Sequence, residues 1–471
     1  MARPETLRSR ATTRKRPPAT IRNYQAALNF LNSAINFEKM TRVGYNSTNF
    51  SLGRMNRLLA ALGNPQRQFR SVHVAGTKGK GSTATMLSCM LTSAGLRTGL
   101  YTSPHLIDVR ERIQLNGEMI GEAQMTRYMN RVVSAVRKLS GAAPTYFEIL
   151  TALAFLFFAD SEVDVAVVEV GLGGRLDSTN VIKPELCAVT QVSYDHMAQL
   201  GDTLAKIAAE KAGIFKSGVP VISAPQHRDV RKVLVQMAES VKVPLYFIGK
   251  DIEFSYRFES SRDAGPQTRV SLSYGNSRYE HLAVPLPGDH QAVNCGIALG
   301  LLAFLNERGF EIDDQLAIQG LARTRLPGRM EIIQDNPRVM IDGAHNAASV
   351  EALMRAIGQH VSYDSMVVIF GCRSDKDIRG MLTHIRLGAD KVIFTETGSM
   401  RSADPAELAA EYVERTGKMA QVAKNLEEAL DIAEHAVTRE DLICVTGSFY
   451  LAGRAKLLIE RRARDAQSAV A

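Results

Sequence analysis

The sequence predicts a two-domain α/β protein, and three observations predict it. First, 471 residues exceed what one hydrophobic core ordinarily spans. Second, short apolar β-type runs alternate with helix-periodic runs from Val72 to Ser223, and again from Arg338 to Val445. Third, the stretch between them, from about Asp251 to Leu286, switches to period-two alternation between turn residues. The expectation is an N-terminal P-loop-type doubly wound sheet carrying a small antiparallel sheet, then a C-terminal Rossmann-like α/β domain. The boundaries fall at residues 1–20 for a basic arm, 21–324 for the first domain and 325–471 for the second, with the linker within Arg323-Thr-Arg-Leu-Pro-Gly-Arg329.

Taken in order, Ile21 to Phe37 has helical periodicity, and the apolar run before Gly76 reads as a strand. A helix with Met86, Leu87, Met90 and Leu91 inward leads to Gly95, and Thr98–Tyr101 is a strand. A helix over Thr145–Ala159 precedes Val163–Val170, whose Val and Ala occupy both parities as an interior parallel strand requires. Leu186–Val192 and Val219–Ser223 are further strands around a helix at Leu204–Ala212, and a helix at Gln291–Leu305 closes the first unit. In the second, strands at Arg338–Ile341, Met366–Phe370, Lys391–Thr395 and Leu442–Val445 alternate with helices, among them Ala348–Ile357.

Hydrophobic residues at 45% and charged residues at 23% suit a soluble globular enzyme. No apolar run reaches the roughly 20 residues of a membrane span. The formal charge of +8 is concentrated early: six basic residues and one acid lie between Arg3 and Arg16. The remainder is mildly basic, which suits anionic small molecules and leaves no nucleic-acid footprint. Five unclustered cysteines with no C-x-x-C pair indicate a reducing compartment, so a cytoplasmic enzyme is expected.

The residues with chemical meaning gather after strands. Val72 to Thr83 reads Val-His-Val-Ala-Gly-Thr-Lys-Gly-Lys-Gly-Ser-Thr, a β-type run entering a glycine-rich turn and then a helix. Gly76, Gly79 and Gly81 let the backbone turn its N–H groups toward one point, and the helix N-terminus adds more. Lys80 can reach terminal phosphates and the Ser82 hydroxyl can approach Mg²⁺. Only Thr77 and Lys78 separate Gly76 from Gly79, shorter than the ordinary Gly-x4-Gly-Lys-Ser/Thr loop. Glu169 ends a buried strand and Asp195-His196 follows another, both where open α/β sheets bind ligands. Ser103 follows the strand ending at Tyr101, and Lys211 ends a helix before Gly213. Alone, the first reads equally as a turn serine and the second as a helix-terminal lysine. Asp342, at a strand end, suits a ribose hydroxyl or phosphate positioning, Asn346 suits an N-cap, and Arg329 stands at the hinge.

These stretches together resemble the folylpolyglutamate synthase/dihydrofolate synthase family, within the Mur-type ATP-dependent amide ligases. The blocks are Phe50-Ser-Leu-Gly-Arg-Met55, Val74 to Ser82, Thr102-Ser-Pro-His-Leu106, Tyr146-Phe-Glu148, Glu169 to Asp177, Tyr194-Asp-His196, Glu210 to Lys216, Leu326-Pro-Gly-Arg329, Asp342-Gly-Ala-His-Asn346 and Thr446 to Tyr450. The resemblance implies an enzyme that activates a folate carboxylate with MgATP as an acyl phosphate, which the amine of L-glutamate attacks. It implies that Gly76 to Ser82 (Thr77 and Lys78 included) bind ATP phosphates, and that Asn294, Arg329 and Asp342 contact the nucleotide. Ser103, Glu169 and His196 would surround Mg²⁺, with Ser82 a further ligand. Lys80, Lys211 and His196 would be catalytic, Lys211 as a carbamylated side chain, and Tyr146 to Glu148 would lie near the pterin cleft.

The family loop usually has Asn where this chain has Lys78. Its ammonium adds attraction for phosphate if it points inward, and is a solvated bystander if it points out. Whether dihydropteroate, tetrahydrofolate or both are accepted is left open. A cell-wall muramyl ligase would carry an extra N-terminal domain, whereas about 70 residues precede this loop. A catalytically silent nucleotide-binding relative need not keep Ser103, Glu169, His196 and Lys211. A monomer is expected, since a closing two-domain cleft needs no partner.

Overall fold

The computed structural model describes residues 20–40, 44–261, 265–399 and 401–470. The basic arm expected over residues 1–20 lies, apart from Thr20, outside them. The first sheet comprises β1 (Arg70–Ala75), β2 (Thr98–Tyr101), β3 (Ile113–Leu115), β4 (Glu118–Met119), β5 (Val165–Glu169), β6 (Leu186–Val189), β7 (Val221–Ser223) and β8 (Leu245–Phe247). Their spatial order is β4-β3-β2-β5-β1-β6-β7-β8. β2, β5, β1, β6, β7 and β8 run parallel, while the β3–β4 hairpin adds an antiparallel edge.

Both faces of this sheet are covered, which is why β5 reads Val-Ala-Val-Val with every residue buried. Val165 and Val167 pack toward helices Lys80–Ser93 and Asp289–Glu307, while Ala166 and Val168 pack toward helices Glu122–Lys138 and Tyr146–Asp160. The helix expected over Thr145–Ala159 spans Tyr146–Asp160, because Thr145 is its N-cap, in a capping box with Glu148. The helix expected over Ile21–Phe37 spans Tyr24–Ser33, because Asn23 caps its start. The expected strand Leu186–Val192 ends at Val189, freeing Thr190 to Ser193 for the site.

The antiparallel sheet comprises β9 (Glu253–Ser261), β10 (Gly265–Tyr274) and β11 (Ser277–Ala283), in the order β11-β10-β9. It packs on helix Asp289–Glu307, where Gly296 leaves room for the Phe254 ring and Tyr274 stacks on Phe304 at 4.2 Å.

The third sheet comprises β12 (Glu331–Asp335), β13 (Arg338–Ile341), β14 (Met366–Phe370), β15 (Lys391–Phe394), β16 (Gln421–Val422) and β17 (Leu442–Thr446). Its order is β12-β13-β17-β14-β15-β16, parallel except for the β12 edge. Its two faces form separate apolar clusters, around Phe370, Phe394 and Tyr412 on one side and Ile341, Ile369 and Leu451 on the other. Among the described residues no helix is long and apolar enough to cross a membrane.

The consequence for function is positional. β1, β2, β5 and β6 are parallel neighbours, so the residues after their C-terminal ends share one edge.

Candidate active site

The glycine-rich turn begins where β1 ends. Gly76 has φ +150° and Gly79 has φ +84°. A Cβ at Gly76 would stand 1.8 Å from Thr190 Oγ1, and one at Gly79 would stand 2.1 Å from Asn294 Oδ1. Both positions therefore require glycine, through space as well as through backbone angle. The N–H groups of the turn do not all converge on one point. Those of Thr77 and Lys78 donate to Gln191 O, at 3.0 and 3.3 Å, and Thr77 Oγ1 donates to Ser193 O at 3.1 Å. These bonds fasten the turn to the segment after β6. The helix ladder begins with Thr83 N donating to Gly79 O at 2.9 Å. The N–H groups of Lys80, Gly81 and Ser82 thus lie in the unpaired first turn, where a helix N-terminus is able to receive an anion.

Glu169 lies beside that turn. Its Oε2 accepts the Ser103 backbone N–H at 2.9 Å, and its Oε1 is 3.8 Å from Lys80 Nζ. Burial pushes the Glu169 carboxyl up from its ordinary pKa, with Lys80 opposing. Gly81 allows this proximity, since a Cβ there would come within 3.4 Å of Glu169 Oε2.

Lys211, at the last turn of helix Leu204–Ala212, is buried and donates to Gly76 O at 2.7 Å. Burial, and then the neighbouring Lys80 charge, push its ammonium down to about 7. His196 adopts the left-handed φ of +48°, and its N–H is held by Asp195 Oδ1 at 2.9 Å. Its imidazole is half exposed. Lys80, Lys211, His196, Asp195 and Gly76 share the lining of one cavity of about 30 Å³, room for small species of the size of water.

The remaining predicted residues are placed as follows. Asn294, on helix Asp289–Glu307, is buried against Gly79 and donates to Gln291 Oε1 at 2.9 Å. Asp342 follows β13 and is buried; its Oδ2 accepts Met330 N at 3.0 Å and its Oδ1 accepts Ala344 N at 2.7 Å. Those bonds make Asp342 a brace for the hinge. Burial raises its pKa, with Arg329 opposing. The Arg329 guanidinium lies 4.6 Å over the Phe449 ring. Lys78 is half buried, not a solvated bystander: its Nζ donates to Asn346 Oδ1 across the two domains at 3.0 Å.

Sequence reasoning missed several supports of this site. The Tyr45 hydroxyl accepts N–H bonds from Gly174 and Leu176, at 3.4 and 3.0 Å. Asp177 accepts from Leu172 N at 2.9 Å and from Thr179 N at 3.0 Å. Together they shape the Gly171–Gly174 loop opposite the turn. Asp177 ended a quoted block, whereas a lone tyrosine more than a hundred residues away left no signal. Glu148, expected near the pterin cleft, is buried in an ion pair with Arg54 at 2.6 Å.

Among the described residues no three His, Cys, Asp or Glu side chains stand together as a ready-made metal cage. The buried Glu169 carboxylate, with Ser103 N at 2.9 Å, is a hard oxygen donor of the kind that suits Mg²⁺, an ion that keeps several waters and takes few protein ligands.

Comparison with known proteins agrees with this geometry. The Mur ligase middle domain matches residues 74–302, and the Mur ligase glutamate ligase domain matches residues 328–449. A Bacillus subtilis dihydrofolate synthase/folylpolyglutamate synthase is 34% identical over 85% of this chain and 92% of its own. A Mycobacterium tuberculosis protein of the same description is 37% identical over 87% and 90%. The M. tuberculosis folylpolyglutamate synthase complexed with ADP and AMPPCP superposes with TM-score 0.80 at 34% identity, over 87% of this chain and 95% of that one. E. coli FolC in complex with DHPP and ADP superposes with TM-score 0.81 at 28% identity, over 95% and 100%. With both domains matched and relatives above 30% identity covered over most of their length, this chain belongs to the dihydrofolate synthase/folylpolyglutamate synthase family of Mur ligases.

Proposed function

We propose that the protein is an ATP-dependent amide ligase that joins L-glutamate to a folate, acting on tetrahydrofolates, dihydropteroate or both. The observation that carries this is the buried Glu169 beside the unpaired N-terminal turn of helix Lys80–Ser93, with Lys80 at 3.8 Å and Ser103 N at 2.9 Å. That arrangement neutralises and aligns transferring phosphate and does no covalent work itself.

The reaction has two steps. A carboxylate oxygen of the acceptor (the benzoate carboxylate of dihydropteroate, or a glutamate carboxylate of a tetrahydrofolate) forms a bond to the γ-phosphorus of ATP, the bond to the β,γ-bridging oxygen breaks, and ADP leaves. The amine of L-glutamate then attacks the acyl carbon, phosphate leaves, a proton is released and the amide remains. N–H groups of Lys80, Gly81 and Ser82 hold phosphate oxygens, and Lys80 offsets the charge that builds during transfer. Arg329 and Asp342 belong to the second domain and serve the nucleotide from across the cleft, while Asn294 fixes Gly79.

Glu169, Ser82, Ser103 and His196 would hold Mg²⁺, which supplies charge neutralisation at the phosphates. Lys211 fits carbamylation. Only a neutral amine adds to carbon dioxide, and burial keeps this one near a pKa of about 7. The carbamate would convert a buried cation into an anionic oxygen ligand beside the 30 Å³ cavity. Five free cysteines support a reducing, cytoplasmic location.

Phosphate release by purified protein with ATP, L-glutamate and either dihydropteroate or tetrahydrofolate tests the proposal. Stimulation by at least one pterin supports it. No stimulation by either sinks it.

A further inference from the structure

We infer that Lys78 is a positioning residue that latches the second domain onto the phosphate turn, and that its ammonium is not a phosphate ligand. Its Nζ donates to Asn346 Oδ1 at 3.0 Å, joining residues 268 positions apart. Asn346 is the N-cap of helix Ala347–His360, and the same oxygen accepts Ser349 N at 2.9 Å. The far end of that helix is also tied to the first domain: Gly288 N donates to His360 Nε2 at 3.3 Å, and the His360 ring meets Phe258 at 5.3 Å. One rigid helix is therefore held at both ends, and only the Lys78 end stands on the phosphate turn. The Asp342–Asn346 loop feeds this helix, so a fastened N-terminus also fixes Asp342 and, through Met330 N, the hinge beside Arg329.

The tie is built to be reversible. A cation at a helix N-terminus faces the positive end of the dipole; the neutral amide oxygen of Asn346 holds Lys78 there, with burial and Arg329 opposing the ammonium and Asp195 and Glu351 attracting it. The backbone N–H of Lys78 is already directed to Gln191 O, so the cradle keeps its shape when the side chain lets go.

The inference rests on the cradle being the ATP site, and the test separates the two. Lys78→Met removes the ammonium at similar length. Asn346→Asp keeps the cap, suits the dipole and turns the contact into an ion pair. Small-angle X-ray scattering of the ligand-free proteins should give a larger radius of gyration for K78M than for wild type, and no increase for N346D. In K78M the Kd for ADP should stay within about twofold, while KM for L-glutamate rises about five- to tenfold, the net size of one ordinary hydrogen bond. N346D should lower that KM. A K78M protein with unchanged scattering, or with ADP binding weakened about tenfold and an unchanged glutamate KM, overturns the latch. If wild type itself fails to bind ADP, the nucleotide reading falls, while the scattering comparison still reports on the tie.

Discussion

The ammonium of Lys211 donates to the carbonyl oxygen of Gly76 at 2.7 Å, so a buried lysine from one helix holds the first residue of the phosphate turn. Folding draws its pKa from 10.5 to about 7. Below pH 7 the lysine is protonated whether folded or unfolded, and the native state bears the full cost of the buried charge. From about 7 to 10.5 the unfolded chain binds the extra proton, so this residue's effect on stability becomes more favourable as pH rises. Lys211→Met should therefore be more stable relative to wild type at pH 6 than at pH 9.5, as read by urea denaturation. An advantage that does not shrink with pH would refute the buried-cation account.

The same residue gives a functional prediction. Wild-type turnover should fall in carbon dioxide-free buffer and recover with bicarbonate, whereas Lys211→Ala should lose about 10²–10³ in kcat and show no recovery. A Lys211→Ala enzyme with undiminished turnover removes the carbamate from the mechanism.

Glu169 is a case in which stability and activity oppose one another. Its carboxylate is buried, with Lys80 at 3.8 Å the one cation in ion-pair range among the described residues, so burial costs the fold. Glu169→Gln keeps an oxygen for Ser103 N and discards the charge. Thermal stability should hold or rise, while kcat falls about 10²-fold or more and the Mg²⁺ requirement shifts to higher concentration. Loss of stability together with full activity would show that the carboxylate serves the fold alone.

Gly79 should not tolerate even a methyl group. With φ +84° and a Cβ position 2.1 Å from Asn294 Oδ1, Gly79→Ala strains the backbone and displaces a buried side chain. ADP affinity measured calorimetrically should fall at least about tenfold, with about 2–4 kcal/mol lost in stability. Asn294→Ala opens space beside that methyl, so adding it to G79A should recover part of the stability.

What could be read from sequence depended on how locally each feature is encoded. The strand Val165–Glu169 and the turn from Gly76 to Ser82 were legible because burial on both faces and close backbone approach leave marks in consecutive residues. The antiparallel sheet was legible from its period of two. The β3–β4 hairpin was not, since strands of three and two residues carry too little pattern. The direction of the Lys78 side chain and the support from Tyr45 depend on partners 268 and about 130 positions away, which no local window contains. The division of labour among the N–H groups of the turn was illegible for a related reason. Gln191, reached only because β6 lies beside β1, takes the N–H groups of Thr77 and Lys78.

Arg54 and Glu148 come from two of the blocks that carry the resemblance, the second of them expected near the pterin cleft, and the structure joins them in a buried pair at 2.6 Å. Glu148 Oε2 also accepts Thr145 N at 2.8 Å, so the carboxylate caps helix Tyr146–Asp160 while it anchors Arg54. Arg54 Nη2 in turn donates to Asn49 O at 2.9 Å, holding the segment ahead of helix Leu52–Ala61. Arg54→Met strands a buried carboxylate and should cost about 3–5 kcal/mol in denaturant unfolding. Glu148→Gln keeps an oxygen for the cap but strands the guanidinium. If the pair acts as a unit, the double variant should be less destabilised than the sum of the singles by at least about 1 kcal/mol. The Kd for ADP, measured on the same proteins, should stay within about twofold of wild type, because the pair's hydrogen bonds run to each other, to Asn49 O and to Thr145 N. Additive stabilities would mean that the two residues act separately. Weakened ADP binding would mean that this wall of the cleft is coupled to the nucleotide site.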